Sequence, residues 1–175
     1  AADAAGLRVI SVANPTQPVE VGYYVTGSYA CGASVSGDYA FVADGAGGLR
    51  VISVADPERP AEVGFCLAPA VAYGVAVSDR YVYLADGAAG LRVVSVHDPA
   101  HPTEVGYYDT PGVAHSVAVS GDYTYVADGS GGLQAYQFYG AGVEESPKPQ
   151  APSREPQAAS RQSQAGLSIV PVTSA

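Results

Sequence analysis

Three aspartates are the residues of this sequence best suited to hold an ion, because Asp44, Asp86 and Asp128 recur every 42 positions at the start of a Gly-rich turn. Carboxylates and backbone carbonyls are typical calcium ligands, so each turn is a candidate calcium site. Each turn offers only one carboxylate, however, and Arg50 and Arg92 follow Asp44 and Asp86 by six residues. We therefore favour the structural alternative, in which the aspartate caps its turn and pairs with the arginine across the same hairpin. No other metal and no cofactor is expected.

A second candidate group, Cys31, Tyr73 and His115, occupies one position of the same 42-residue period. Internal repeats keep structural positions constant and vary exposed ones, so the variation at this position indicates a binding surface. The alternative is that these residues differ only because their packing differs. Separately, we expect Cys31 and Cys66 to be buried free thiols, because the first and fourth strands of one blade are too far apart for a disulfide. The ligand classes that we consider are a protein and a glycan.

The sequence offers little for catalysis. His97 and His101 are four residues apart, a spacing that forms a metal-binding face on a helix, but they lie in a loop bounded by prolines. At the variable repeat position only His115 is of a catalytic type, and no nucleophile–base pair is visible in the sequence. We therefore predict no catalytic residue.

All of these residues belong to one repeating pattern. The run Gly-Leu-Arg-Val-Ile/Val-Ser-Val begins at positions 6, 48 and 90, and a divergent copy begins at 132. A fixed period of this length indicates a repeat architecture. Within the unit 73–109, four short β-type segments alternate with turns, and residues 97–102 form a proline-containing connection.

Apolar residues fall on both faces of these strands, so both faces must be covered, unlike those of a sheet with one face in water. The first strand of each unit has the smallest side chains, which suits crowding around a central channel. We therefore predict an all-β fold of β-propeller blades, a partial arc of about three to four four-stranded antiparallel blades. Full blades are expected at 32–67 and 73–109, a partial blade at 7–25, and a fourth blade at 115–138 that lacks its outer strand. The variable repeat position then lies at one mouth of the channel.

The segment Leu-Arg-Val-Ile-Ser-Val-Ala-Asp-Pro at 49–57, its counterpart at 91–99 and Val-Ala-Asp-Gly at 42–45 resemble the LVIVD repeat family. The resemblance covers residues 6–139, with serine where the strand of the family has aspartate. It implies a bacterial or archaeal propeller that is secreted or lies on the cell surface, and it brings no catalytic residues.

These observations favour a non-catalytic propeller module that binds a partner or serves as a scaffold, outside the cell or at its surface. The alternative is a fragment of a propeller enzyme, a hydrolase or a lyase, with its active site in missing blades or at the channel mouth. An arc leaves an apolar face at each end, so we expect missing blades or another copy of the chain to complete the ring.

Charge and composition limit the partners and divide the chain. Residues 1–139 carry five basic and fourteen acidic residues, which account for the net charge of −9. So acidic a surface repels phosphate backbones, and nucleic acid is not an expected partner. No apolar run approaches the ~20 residues of a membrane helix. We expect repeats at 1–139 as part of a larger ring, a flexible linker rich in Pro, Gln, Ser and Ala at 140–165, and a short strand-like segment or disordered end at 166–175.

Overall fold

The computed structural model describes residues 6–139 and 168–171, with the side chains of residues 6–137. In chain order the strands are β1 Leu7–Ser11, β2 Val19–Tyr24, β3 Gly32–Ser36, β4 Tyr39–Ala43, β5 Leu49–Ser53, β6 Ala61–Cys66, β7 Gly74–Ser78, β8 Tyr81–Ala85, β9 Leu91–Ser95, β10 Thr103–Tyr108, β11 Ser116–Ser120, β12 Tyr123–Ala127, β13 Leu133–Tyr139 and β14 Ser168–Pro171. A 3₁₀ turn, Gly129–Gly131, separates β12 from β13, and the described ranges contain no α-helix.

The strands form four antiparallel sheets, which we number as blades 1 to 4. Blade 1 contains β1 and β2, blade 2 contains β3 to β6, blade 3 contains β7 to β10, and blade 4 contains β11 to β14. Within each four-stranded blade, sequential strands are neighbours. The predicted all-β fold of four-stranded antiparallel blades is therefore confirmed, and blades 2 and 3 fall within the predicted ranges 32–67 and 73–109.

The tight turn between the first two strands of each full blade depends on a positive φ at its first residue. Gly37 and Gly121 hold this position in blades 2 and 4, with φ of 56° and 57°, a conformation that glycine adopts without a steric penalty. In blade 3 the position is Asp79, with φ of 51°. Among the described residues, Asp79 is the only one other than glycine with a positive φ. This turn therefore carries backbone strain that its counterparts lack.

The blades pack face to face, and alternate positions of each strand contribute to the core on either side. The core between blades 2 and 3 contains Phe41, Ala43, Leu49, Val51, Ala72, Val82, Leu84, Val94 and Val96. The core between blades 3 and 4 contains Tyr83, Ala85, Leu91, Val93, Ala114, Val117, Val126 and Tyr136. A smaller core between blades 1 and 2 contains Leu7, Ala30, Ala40, Val42 and Ile52. Both faces of the central strands are thus buried, which is why their sequences are apolar at successive positions.

At the outer edge, a glycine of one blade receives the proline-containing connection of the next. A Cβ atom on Gly22 would clash with the carbonyl oxygen of Pro57, and one on Gly64 would clash with that of Pro99. The glycine of the fourth strand and the proline of the connection therefore recur together because they form a repeated contact between neighbouring blades.

Blade 4 receives its outer strand from a distant part of the chain. β14 pairs antiparallel with β13, and Ile169 lies opposite Phe138 and Pro171 opposite Tyr136. The expectation that segment 115–138 forms a blade without an outer strand is therefore corrected, since the strand-like segment near the end of the chain fills the position. The predicted linker at 140–165 lies outside the described residues.

Candidate functional site

The carboxylate of Asp44 directly follows β4 and is fully buried. Its Oδ1 accepts a hydrogen bond from the backbone N–H of Ser28 at 3.3 Å, and its Oδ2 accepts one from Arg50 Nε at 3.2 Å. Ser28 lies in the connection that leads from blade 1 to blade 2. The ion pair with Arg50 follows the sequence prediction, but the backbone group that the carboxylate caps lies 16 residues earlier in the chain, outside its own turn. Asp44 therefore fastens its turn to the incoming connection.

Asp86 repeats this arrangement in blade 3 with looser geometry. Its Oδ2 accepts a hydrogen bond from the N–H of Ala70 at 3.2 Å, but Arg92 Nε lies 3.6 Å away, and Oδ1 has no hydrogen-bond partner among the described residues. Burial raises the pKa of the Asp86 carboxyl, while the Ala70 N–H and Arg92 act in the opposite direction.

The looser pair in blade 3 has a local cause. A Cβ atom on Gly47 would clash with the Oδ2 of Asp44, and one on Gly131 would clash with the Oδ2 of Asp128. Ala89 holds this position in blade 3, so its methyl group occupies space that the other two turns leave to the carboxylate.

Asp128 has no arginine partner, because Gln134 replaces it in blade 4. A hydroxyl takes over part of the role, since Thr110 Oγ1 donates to Asp128 Oδ1 at 2.5 Å, and the N–H of Gly112 donates to Oδ2 at 2.7 Å. The side chain of Gln134 donates to the carbonyl of Gly131. In all three full blades, the aspartate thus accepts a hydrogen bond from a backbone N–H of the incoming connection, while its side-chain partner varies.

In blades 2 and 3, the connection to the next blade also forms hydrogen bonds with the Gly-rich turn. The N–H of Gly45 donates to the carbonyl of Ala72 at 3.2 Å, and the N–H of Ala72 donates to that of Gly45 at 3.0 Å. Gly87 and Ala114 form the same pair one blade later. The Gly-rich turns are therefore junctions between three successive parts of the arc, and calcium binding by Asp44, Asp86 and Asp128 stays a prediction. Within the described ranges, no group of three or more His, Cys, Asp or Glu side chains is placed to hold a metal ion.

Each arginine of the third strand also lies over an aromatic ring of the fourth strand. The distance from the guanidinium carbon to the ring centroid is 4.8 Å for Arg8 and Tyr23, and 4.7 Å for Arg92 and Tyr107. A glutamate twelve residues after the arginine completes the cluster, as in the 2.9 Å pair of Arg8 with Glu20. Sequence reasoning did not identify these partners, although the recurrence of Arg, Glu and an aromatic residue at offsets of 12 and 15 in three repeats was a usable signal.

The three residues of the variable repeat position lie in order along the inner edge of the arc, just before β3, β7 and β11. The rings of Tyr73 and His115 are in contact, with centroids 5.3 Å apart and planes inclined by 43°. Cys31 precedes Gly32, whose Cβ position lies 3.3 Å from the carbonyl oxygen of Tyr73. All three side chains are exposed. The structure therefore brings Tyr73 and His115 together in an accessible position beside Cys31, and a binding role of this rim stays a prediction.

The two cysteines are free thiols in different surroundings. Cys31 is exposed and its Sγ donates to the carbonyl of Tyr29 at 3.3 Å, so the expectation that both thiols are buried is wrong for this residue. Cys66 is half-buried at the end of β6. Burial and then the neighbouring Glu104 raise the pKa of the Cys66 thiol, which makes it a poor nucleophile.

Two grooves lie away from the rim. One, of about 210 Å³, separates the hairpin turns of blades 3 and 4 and is lined in part by Asp79, Asp122 and Tyr83. Burial raises the pKa of Tyr83 to about 12, with smaller effects of Tyr81 and Asp79. The other, of about 470 Å³, lies at the outer edges of blades 2 and 3 beside Phe65. The sequence did not indicate either groove, because each forms only where two blades meet.

Comparison with protein families supports the repeat units seen in the structure. A family model described as the LVIVD repeat matches residues 1–26, 27–68, 71–110 and 111–134. Each match falls within one blade: the second contains β3 to β6, the third contains β7 to β10, and the first and fourth contain described strands of blades 1 and 4. No curated protein matches the chain. None of the described helical segments is long and apolar enough to cross a membrane.

Proposed function

The chain belongs to the LVIVD repeat family, and we propose that it is a non-catalytic binding or scaffold module that acts outside the cell or at the cell surface on a protein or glycan partner. The observation that carries this proposal is the exposed ring pair of Tyr73 and His115, 5.3 Å apart at the repeat position that varies. The position directly before the pair is a buried alanine in all three repeats, at Ala30, Ala72 and Ala114, whereas the position of the pair differs in each repeat.

The ring pair is suited to recognition by its chemistry and by its support. Aromatic side chains are enriched at binding surfaces because they offer a large contact area at a small cost in conformational entropy. The two residues directly precede β7 and β11, and these strands pack in the cores of blades 2 to 4. The imidazole adds a hydrogen-bonding group to the apolar ring faces. Preorganised rings of this kind bind a partner without first having to be ordered.

The proposal is tested by screening the chain on a glycan array and against the cell-surface proteins of the cells that produce it. Tyr73→Ala and His115→Ala are compared with Tyr23→Ala, which removes a tyrosine on β2 that is more exposed than Tyr73. We expect the two rim variants to lose at least about tenfold in affinity for any ligand found, which corresponds to roughly 1.4 kcal/mol, and the β2 variant to bind normally. A ligand whose affinity is unaffected by both rim variants would show that the rim is not the binding surface.

The proposed location requires a separate measurement. Fractionation of the producing cells, with an antibody against this chain, should recover the protein in the medium or on intact cells accessible to added protease. Recovery only from the protease-protected interior would overturn the location and leave the binding test unaffected.

A further inference from the structure

The two ends of the arc expose side chains whose counterparts at the internal blade interfaces are buried or half-buried. On the side of blade 4 away from blade 3, Tyr123, Tyr125 and Leu133 are 39%, 36% and 74% exposed. Their counterparts in blade 2 include Phe41 and Leu49, which are 3% and 0% exposed. We call the surface formed by Tyr123, Tyr125 and Leu133 the trailing face.

The opposite end of the arc shows the complementary difference. Ile10 on β1 and Val12 just after it are 45% and 67% exposed. The residues 84 positions later, Val94 and Val96, are 2% and 7% exposed in the core between blades 2 and 3. We call the surface formed by Arg8, Ile10 and Val12 the leading face. In the internal interface the trailing positions of one blade pack against the leading positions of the next, so the two free faces are the two halves of one contact.

We infer that two copies of this chain associate head to tail, with the trailing face of one copy on the leading face of the other. The internal interfaces show what covers these positions, and a second copy carries the matching surface in the same repeat register. The leading face also retains a polar element of the internal interface. Tyr24 of blade 1 donates a hydrogen bond from its hydroxyl to Glu62 of blade 2 at 3.5 Å, and Glu20, at the position of Glu62, is partly exposed beside Arg8.

The contact between copies is smaller than the internal ones. Blade 1 contributes only β1 and β2 among the described residues, and β14 of blade 4 has no glycine at which a proline-containing connection could dock. We therefore expect reversible association that depends on concentration. Because the contact joins unlike faces, it either closes a ring or continues into an open chain, according to the rotation between copies.

The experiment measures the mass of the full 175-residue chain by sedimentation equilibrium over a range of concentrations. Three variants are compared: Leu133→Lys on the trailing face, Ile10→Lys on the leading face, and Leu67→Lys as a control. Leu67 is 67% exposed in the connection between blades 2 and 3. Its replacement therefore makes the same change of charge, but away from both the leading and the trailing face. All three replaced residues are exposed, and circular dichroism and thermal unfolding check that each variant is folded.

We expect the wild-type chain and Leu67→Lys to exceed the monomer mass of 17.7 kDa as concentration rises, and each end variant alone to remain at that mass. An equimolar mixture of the two end variants should form a 1:1 dimer and no larger species, because one copy keeps an intact trailing face and the other an intact leading face. A wild-type monomer at all concentrations, association of either end variant alone, or a mixture that stays monomeric would overturn the inference. Association of only Ile10→Lys would assign the contact to two trailing faces.

Discussion

Single residues set how well each repeat fits a common backbone, and Asp79 is the clearest misfit. Its φ of 51° lies in a region where a residue with a side chain costs about 1–3 kcal/mol. We predict that Asp79→Gly raises the free energy of unfolding by about 1 kcal/mol, after the greater entropy of glycine in the unfolded chain is subtracted. Urea denaturation measures this difference.

A matched control is available in blade 4. Asp122 holds the second position of the equivalent turn, where φ is not positive, so Asp122→Gly gains no relief and should lower stability by about 0.5 kcal/mol. Equal effects of the two replacements would show that strain at Asp79 does not limit stability.

The buried carboxyl of Asp86 gives the fold a defined response to pH. Burial raises its pKa in the folded chain above the ordinary value of 3.8, so the folded state binds this proton more tightly than the unfolded state. The resulting contribution to stability is complete below that ordinary pKa and is lost as pH rises through the folded pKa.

We therefore predict that the free energy of unfolding of Asp86→Asn, which cannot ionise, increases relative to that of the wild-type chain as pH is raised from about 3 to about 7. Urea denaturation of both proteins at the two pH values measures the change in their stability difference. A change of opposite sign would mean that the attraction of Arg92, 3.6 Å away, outweighs desolvation.

At the scale of strands and blades, β14 is the element whose contribution is most readily isolated. It pairs with β13 through four opposed residues, and its removal leaves the edge of blade 4 unpaired. We predict that truncation after residue 139 lowers the free energy of unfolding by about 1–3 kcal/mol, since backbone hydrogen bonds are lost. Hydrogen exchange should show faster exchange at Gln137 and its neighbours in β13.

Truncation after residue 171 is the control, because it retains β14. Equal stability and equal exchange in the two shortened chains would mean that β14 is not stably docked in solution.

The contrast between β14 and the internal strands shows what the sequence could predict. The strands of blades 2 and 3 follow from the 42-residue period, the two-residue hairpin turns and the apolar residues on both faces, all of which are local signals. The position of β14 depends on pairing across 28 intervening residues, and its short apolar run also suited other placements. The caps of Asp44 and Asp86 are similar, because their partners are backbone N–H groups of Ser28 and Ala70, which any residue except proline provides.

At the scale of the whole molecule, curvature arises from repeated close contacts at both edges of the arc. At the inner edge, Val77 donates its N–H to Ser34 Oγ at 3.3 Å, which links the first strands of blades 2 and 3. At the outer edge, Gly64 accommodates Pro99 of the following connection. The same two contacts fix the direction in which a further blade, or a second copy, must be added.

The charge of the whole molecule predicts how head-to-tail association responds to salt. Each copy carries a net charge of −9, so two copies repel each other, while the proposed contact between Ile10 and Leu133 is apolar. The screening length falls from about 30 Å at 0.01 M salt to about 8 Å at 0.15 M, and added salt should weaken the repulsion while leaving the apolar contact in place. We predict that the dissociation constant falls as sodium chloride is raised over this range, as measured by sedimentation equilibrium at fixed pH.

Leu67→Lys, which makes each copy less negative without altering either face, should associate more tightly than the wild-type chain at low salt and equally at high salt. A dissociation constant that rises with salt would instead assign the contact to ion pairs, and Arg8 and Glu20 on the leading face would then be the first residues to replace.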